Sequence, residues 1–317
     1  MYLVFDRMLR HFSPLSRPSF ALTFCFYLIQ ILPTTNVFAI SPDRYHSYET
    51  ISQYMSEVAE KYDHVEEILL GHSGEGRPIR YLEMTTAQDP NAPAVYLNST
   101  HHGNEKAATI AILGVIDYFT RNFQQGEPQY FLSKYRLIIQ PFVNPDGYVK
   151  GSRFAKGGID PNRDYPHPRN QGKTFQLEET RLVARLLATK NVAGSISFHA
   201  GIEAVLWPWC FAGQHTPHEK HFSFLGKTVA NTMDIKRYVQ SYMDYKSEGE
   251  FIDYAYMKYG TLALTVEVSK RAKPLRRYLP AIANNTIKGV LAYLIGLDGI
   301  LENNKPARNR VAQAITH

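Results

Sequence analysis

The sequence predicts a single α/β domain with a mixed central sheet and helices on both faces. Short apolar runs ending in polar loops alternate with segments of helical periodicity. No repeat and no Pro/Gly/Ser-rich linker divides the chain between about residues 41 and 300. Apolar residues make up 44% of the chain and aromatics 13%, enough for a filled core and too many for a disordered or collagen-like chain.

The elements follow in order. Ile51, Tyr54, Met55 and Val58 recur at helical spacing across 48–62. Val65–Leu70 and Pro78–Met84 read as a hairpin across Ser73-Gly74-Glu75-Gly76. Ala94–Leu97 is a short apolar run, expected as a buried strand, and Ala107–Phe119 is expected as a helix. Arg136–Val143 is a second buried strand, closed by an expected turn at Asn144-Pro145-Asp146-Gly147. Leu177–Leu187 is amphipathic. Val192–Phe198 is a strand leading to His199, Thr261–Val268 is a β-branched strand, and Tyr278–Leu294 is a final helix. Trp207-Pro208-Trp209 reads as wall and core. A polar tail is expected from Glu302 to 317.

At the N-terminus, Arg7, Arg10 and Arg17 precede an apolar run from Phe20 to Leu32, and Val37-Phe38-Ala39 follows. That layout predicts a signal peptide over 1–39, hence export to the periplasm or medium. Met8 is an alternative start, and an uncleaved anchor is the other reading of the run. Without 1–39 the formal charge falls from +6 to +4. So small a surplus excludes a nucleic-acid footprint, which needs a clustered basic face. Cys210 is then the only cysteine, so no internal disulfide can form.

A catalytic zinc takes three His or carboxylate ligands and keeps one position open. His-x-x-Glu supplies two, and it occurs four times: His46/Glu49, His64/Glu67, His72/Glu75 and His102/Glu105. The first three lie in a polar stretch and read as solvated surface. His102-Gly103-Asn104-Glu105 lies between a buried strand and an apolar helix. Its two residues are ligands or merely a helix start, and His101 also precedes Glu105 by four. His199 ends a strand 94 residues beyond Glu105, which suits a third ligand. Asp160-Pro161-Asn162-Arg163 puts an acid, an amide and a guanidinium on one loop. Glu267 ends an otherwise apolar strand, where a carboxylate is costly unless paired or used. His215, His218 and His221 recur three apart, but Pro217 interrupts them and they read as solvated.

In this order the residues resemble the zinc metallocarboxypeptidase family across most of the chain beyond residue 39. The resemblance implies one zinc per chain on His102, Glu105 and His199. It implies Asp160 behind His102, Arg153 polarising the scissile carbonyl, and Asn162 with Arg163 holding the terminal carboxylate. Tyr245, followed by Gly249 and Asp253, matches a mobile tyrosine stretch, and Glu267 matches the general acid/base. Ile252 matches the floor of the specificity pocket. Glu250 either faces solvent or turns inward as an acidic wall. The Gly71–Arg77 hairpin and Asn144–Tyr148 are family-like and read as structural.

Zinc on two His and one Glu lowers the pKa of a bound water toward ~7. Glu267 would take that proton, Arg153 would stabilise the oxyanion, and Arg163 would grip a carboxylate by two parallel bonds.

The chain departs from the digestive enzymes. Arg153 to Asn162 spans nine residues, as in compact bacterial members that cut murein peptides. Asp164 stands where Asn is usual, and Ala200-Gly201 follows His199. The expected function is therefore a carboxypeptidase acting on peptides with a free C-terminus. The alternatives are a γ-D-glutamyl-diaminopimelate peptidase acting on murein peptide, an N-acyl amino acid deacylase and a catalytically silent binding protein. No nucleic-acid partner and no stable membrane association after signal removal are expected.

Overall fold

The computed structural model describes residues 40–168 and 173–303. The expected signal segment and the chain beyond Asn303 lie outside the described residues. Helix α1 (Tyr48–Lys61) is capped by Ser47, whose hydroxyl accepts the Thr50 N–H, and it buries Ile51, Tyr54, Met55 and Val58. There follow β1 (Val65–His72), β2 (Pro78–Met84), β3 (Ala94–Ser99), α2 (Lys106–Arg121), α3 (Gly126–Lys134), β4 (Arg136–Gln140) and α4 (Pro145–Lys150). The second half adds α5 (Glu178–Thr189), β5 (Val192–His199), β6 (Glu203–Trp207), α6 (Glu219–Thr232), β7 (Tyr238–Gln240) and α7 (Ser241–Asp244). It closes with α8 (Phe251–Tyr259), β8 (Leu262–Val268) and α9 (Leu279–Asn303).

The eight strands form one sheet in the order β1-β2-β4-β3-β5-β8-β6-β7. The central four, β4, β3, β5 and β8, are parallel. The hairpin β1–β2 joins β4 antiparallel, and β6 joins β8 antiparallel. The sheet is mixed, as expected.

Strand parity assigns the layers. Val95 is registered with Gly194, where an added Cβ would fall 2.4 Å from the Tyr293 hydroxyl of α9. Helices α2, α6 and α9 pack together on that side. Tyr96, one residue on, points to the opposite face. There it joins Val183 and Leu186 of α5 with Phe251 and Ala255 of α8 in one buried cluster.

Three boundaries differ from expectation, the first being β4, which ends at Gln140 rather than Val143. Asn144-Pro145-Asp146-Gly147 is the start of α4 rather than a turn. Asn144 Oδ1 accepts the Gly147 N–H at 2.8 Å, and Pro145 needs no donor in a first turn. The last helix runs on to Asn303, beyond its expected end at Leu294. Among the described residues no helix is long and apolar enough to cross a membrane.

Candidate metal centre and substrate clamp

Because the four central strands run the same way, their C-terminal ends share one edge, where α/β sheets place their ligands. His101 to Glu105 follow β3, His199 ends β5 and Glu267 lies near the end of β8. His199 and Glu267 are registered partners on neighbouring strands, whose spacing is ~4.8 Å.

The loop after β3 is forced tight by Gly103: a Cβ there would lie 1.9 Å from the Gly147 carbonyl carbon. The Asn144–Tyr148 motif is therefore the bed on which the loop rests. It is tied in turn to the hairpin, where Ser73 donates to Asp146 Oδ1 at 2.7 Å and the Glu75 N–H to Oδ2 at 3.0 Å. Arg77 donates to the same carboxylate at 2.8 Å. Both motifs are structural, as read.

His102, Glu105 and His199 are all buried, and one ligand atom from each lies within 4.8 Å of the others. His102 Nδ1 lies 2.7 Å from Glu105 Oε1 and 3.2 Å from His199 Nδ1, which lies 3.0 Å from Glu105 Oε2. The Ala200 N–H also holds Glu105 Oε2, at 3.0 Å. On its far side His102 Nε2 meets Asp160 Oδ1 at 3.0 Å. That bond satisfies Nε2 from outside and leaves Nδ1 facing the cluster, and against burial the two carboxylates, Asp160 and Glu105, raise the pKa of the ring.

His101 does not join them. It is fully buried, with Nε2 3.0 Å from the Tyr165 hydroxyl, Nδ1 3.3 Å from Ser197 Oγ, and its ring stacked on His199. Burial first, then the neighbouring histidines, pushes its pKa well down and keeps the ring neutral. This supporting network was not read from the sequence; its one signal was a serine two residues before His199.

The other His-x-x-Glu pairs do not converge. His64 is not solvated as expected: it is half-buried, stacked on Phe123 at 3.9 Å between ring centres. The apolar Phe123 side chain covers a histidine that a polar neighbourhood had suggested was wet. His218 and His221 stack on each other, and His218 also meets the Tyr256 hydroxyl at 2.8 Å. Among the described residues only the His102 cluster has three such groups in reach of one another.

The residues expected to hold a substrate carboxylate gather beside it. Asp160 caps a short 3₁₀ turn by accepting the Asn162 N–H at 2.9 Å, and it also takes the Arg153 Nε–H at 2.9 Å. Burial raises the Asp160 pKa, but His102, Arg153 and Arg163 outweigh it and hold the carboxyl well below its usual range. Arg153 Nη1 reaches 3.7 Å from Glu105 Oε1. Arg163 donates to the Tyr245 hydroxyl at 2.6 Å and lies 3.4 Å from Glu250 Oε1. Asn162 is buried, and its Oδ1 accepts the Phe251 N–H at 2.9 Å. Gly249 passes so close to this loop, at φ +78°, that a Cβ would fall 2.4 Å from the Arg163 carbonyl oxygen.

Of the two expectations for Glu250, the inward one holds: it is 5% exposed, bonded by Ser247 and by the Cys210 thiol at 3.4 Å. Glu248 stays half-exposed. Ile252 is buried in the core cluster with Cys210. Asp253 accepts the Cys210 N–H, and burial, with Glu250 nearby, pushes its carboxyl up to about 7. Asp164, the departure from Asn, accepts the Gln176 and Leu177 N–H groups at 2.9 and 3.0 Å and the Thr180 hydroxyl at 2.5 Å, fixing the start of α5.

Burial, opposed by His199 and reinforced by Glu105, raises the Glu267 carboxyl to about 7. Its Oε2 is buried with no hydrogen-bond partner among the described residues, an acceptor left open.

The sequence profile of the family described as zinc carboxypeptidase matches residues 51–289. The chain belongs to the zinc carboxypeptidase family. It is 24% identical over 227 residues to carboxypeptidase B of Helicoverpa zea, an alignment covering 60% of this chain and 52% of that relative. The chain thus spans about half the length of that curated relative. Carboxypeptidase A from Helicoverpa armigera shares the fold at a TM-score of 0.74 and 20% identity, over 82% of this chain and 75% of that one. A bacterial metallo-carboxypeptidase, from Burkholderia cenocepacia, matches at a TM-score of 0.64 and 17% identity, over 80% and 70% of the two chains. Zinc is the cofactor the family uses, and the two imidazoles and one carboxylate found together here are a fitting donor set for it.

Proposed function

We propose that this zinc carboxypeptidase family member removes the C-terminal residue from peptides, with His102, Glu105 and His199 holding one zinc and Glu267 serving as the base. The observation that carries the reading is the convergence of three ligand atoms beside a buried, unpartnered carboxylate oxygen. Zinc, when bound, supplies the positive charge that acidifies a water and polarises the scissile carbonyl. Glu267, with its carboxyl raised to about 7 by burial, is poised to take a proton near neutral pH and return it to the leaving amine. Arg153, within 3.7 Å of Glu105, stands ready to donate to the developing oxyanion. Arg163 grips the terminal carboxylate, and Tyr245, half-exposed and bonded to it, covers that contact. Asp160 fixes the tautomer of His102. Export as a periplasmic or secreted enzyme remains the reading of the N-terminal sequence.

One feature favours the murein reading as the alternative. Arg163 and Glu250 place a guanidinium and a carboxylate 3.4 Å apart. A zwitterionic end carrying amine and carboxylate on one carbon, as in diaminopimelate, matches that pair. Mass spectrometry of products from a mixed peptide pool, including murein tripeptide and tetrapeptide, separates the two substrates. Elemental analysis tests the metal: His199→Ala should lose zinc together with activity, and stoichiometric zinc in that variant would sink the ligand assignment.

A further inference from the structure

The modest overall surplus of charge hides a local concentration. Between Ser269 and Pro280 the chain reads Lys270, Arg271, Lys273, Arg276 and Arg277 with no acidic residue. All five side chains are exposed, and Leu275 and Tyr278 among them are 55% and 49% exposed. The segment starts three residues after Glu267. Its backbone is pinned to the metal centre twice: Ser269 O accepts the Gly201 N–H at 2.9 Å, and Ala272 O accepts the Ala107 N–H at 3.0 Å. Gly201 lies two residues beyond His199 and Ala107 two beyond Glu105, so the basic residues sit on the rim of the site. Tyr45 braces the outer part by donating to Pro274 O at 2.7 Å. One acid, Glu203, itself half-exposed, lies 3.5 Å from Lys270.

Resting on the carboxypeptidase reading, the clamp at Arg163 takes the terminal residue inward, so the body of the peptide must leave the site over a rim. We infer that the exposed basic segment 270–277 reads negative charge on the peptide upstream of the scissile bond, making this an enzyme that favours acidic peptides. Exposed rim charges act mainly on encounter and on weak binding, and they are screened within about 8 Å at physiological salt. The preference therefore belongs in kcat/KM through KM and fades with salt.

The test uses the zinc-loaded full chain and three N-acetylated peptides. They share the C-terminal residue that is cleaved fastest and carry Glu-Glu, Gln-Gln or Lys-Lys upstream. Expected is a kcat/KM for Glu-Glu about tenfold above Gln-Gln at low salt, converging in 0.5 M NaCl, with Lys-Lys slowest. Combined Lys270→Gln, Arg271→Gln, Arg276→Gln and Arg277→Gln should bring the ratio toward one, whereas Arg276→Lys with Arg277→Lys should keep it. Equal cleavage of the three peptides by the unmodified chain, or a preference that survives neutralisation, overturns the inference. Binding to phosphatidylserine vesicles, lost on neutralisation and without any peptide preference, also overturns it and assigns the segment to a membrane surface. Failure to cleave any peptide with stoichiometric zinc bound would instead remove the carboxypeptidase reading on which the inference rests.

Discussion

At the scale of single residues, the polar groups of the site differ most in what surrounds them. Glu267 is partly buried, with its Oε2 enclosed and left open as an acceptor, so its replacement should be specific. Glu267→Gln keeps the shape, cannot accept a proton, and is expected to retain zinc while losing ~10²–10⁴ in kcat. Rates within tenfold of the unmodified enzyme would show that another group is the base. Glu250 is already engaged by Arg163 and Ser247. If it also reads the departing side chain, Glu250→Gln should lower kcat/KM for C-terminal lysine or diaminopimelate about tenfold relative to leucine. An equal loss on both types would mean that Glu250 supports Arg163 and the loop instead. Asp253 gives a pH effect of defined sign. Its folded pKa of about 7 lies above the ~3.9 of an unfolded aspartate, so its ionisation costs stability as pH rises from about 4 through 7. Asp253→Asn should match the parent below about pH 4 and be more stable by on the order of 4 kcal/mol at pH 8, read from denaturant midpoints. No gain at pH 8 would show that the carboxylate is well accommodated.

Among the elements, the long and strongly patterned ones were legible. In α1 the four residues at helical spacing are the four that are buried, and the β1–β2 hairpin lies where its turn residues put it. Helices α3, α6 and α8 were not read. Pro128 stands in the first turn of α3, and α8 has nine residues with charge in its first turn, so periodicity had little to act on. The start of α5 depends on a residue 14 positions away: Leu177 at its N-cap makes no side-chain cap bond, and Asp164 supplies the acceptors. Asp164→Ala should therefore cost about 2–4 kcal/mol, since hydrogen bonds to a charged acceptor are worth ~1.5–3 each and fail together. Asp164→Asn should recover part of it. A melting temperature unchanged in the alanine variant would mean that the helix start is held by packing alone.

For the whole molecule, the decisive fact is direction. Four parallel strands deliver His102, Glu105, His199 and Glu267 to one edge of the sheet, although the first and the last lie 165 positions apart. On that edge the ligands, the clamp and the basic rim come from different loops, each braced by another. The hairpin holds Asp146 of α4, whose Gly147 lies under the ligand loop at Gly103, and the ligand segments hold the rim at Gly201 and Ala107.

The order and spacing of residues carried the fold class and pointed to His102, Glu105 and His199, which the fold brings together. They did so because zinc chemistry admits few residue types and because buried strands and helices must repeat at fixed periods. Which of His101 and His102 joins Glu105 could not be read from spacing alone. Spacing allows both, and only the packing of Tyr165 and Ser197 around one ring, and of Asp160 against the other, separates them. The inward turn of Glu250 is of the same kind. A glutamate is ordinarily exposed, and it is the guanidinium of Arg163, brought from 87 residues away, that makes its burial affordable.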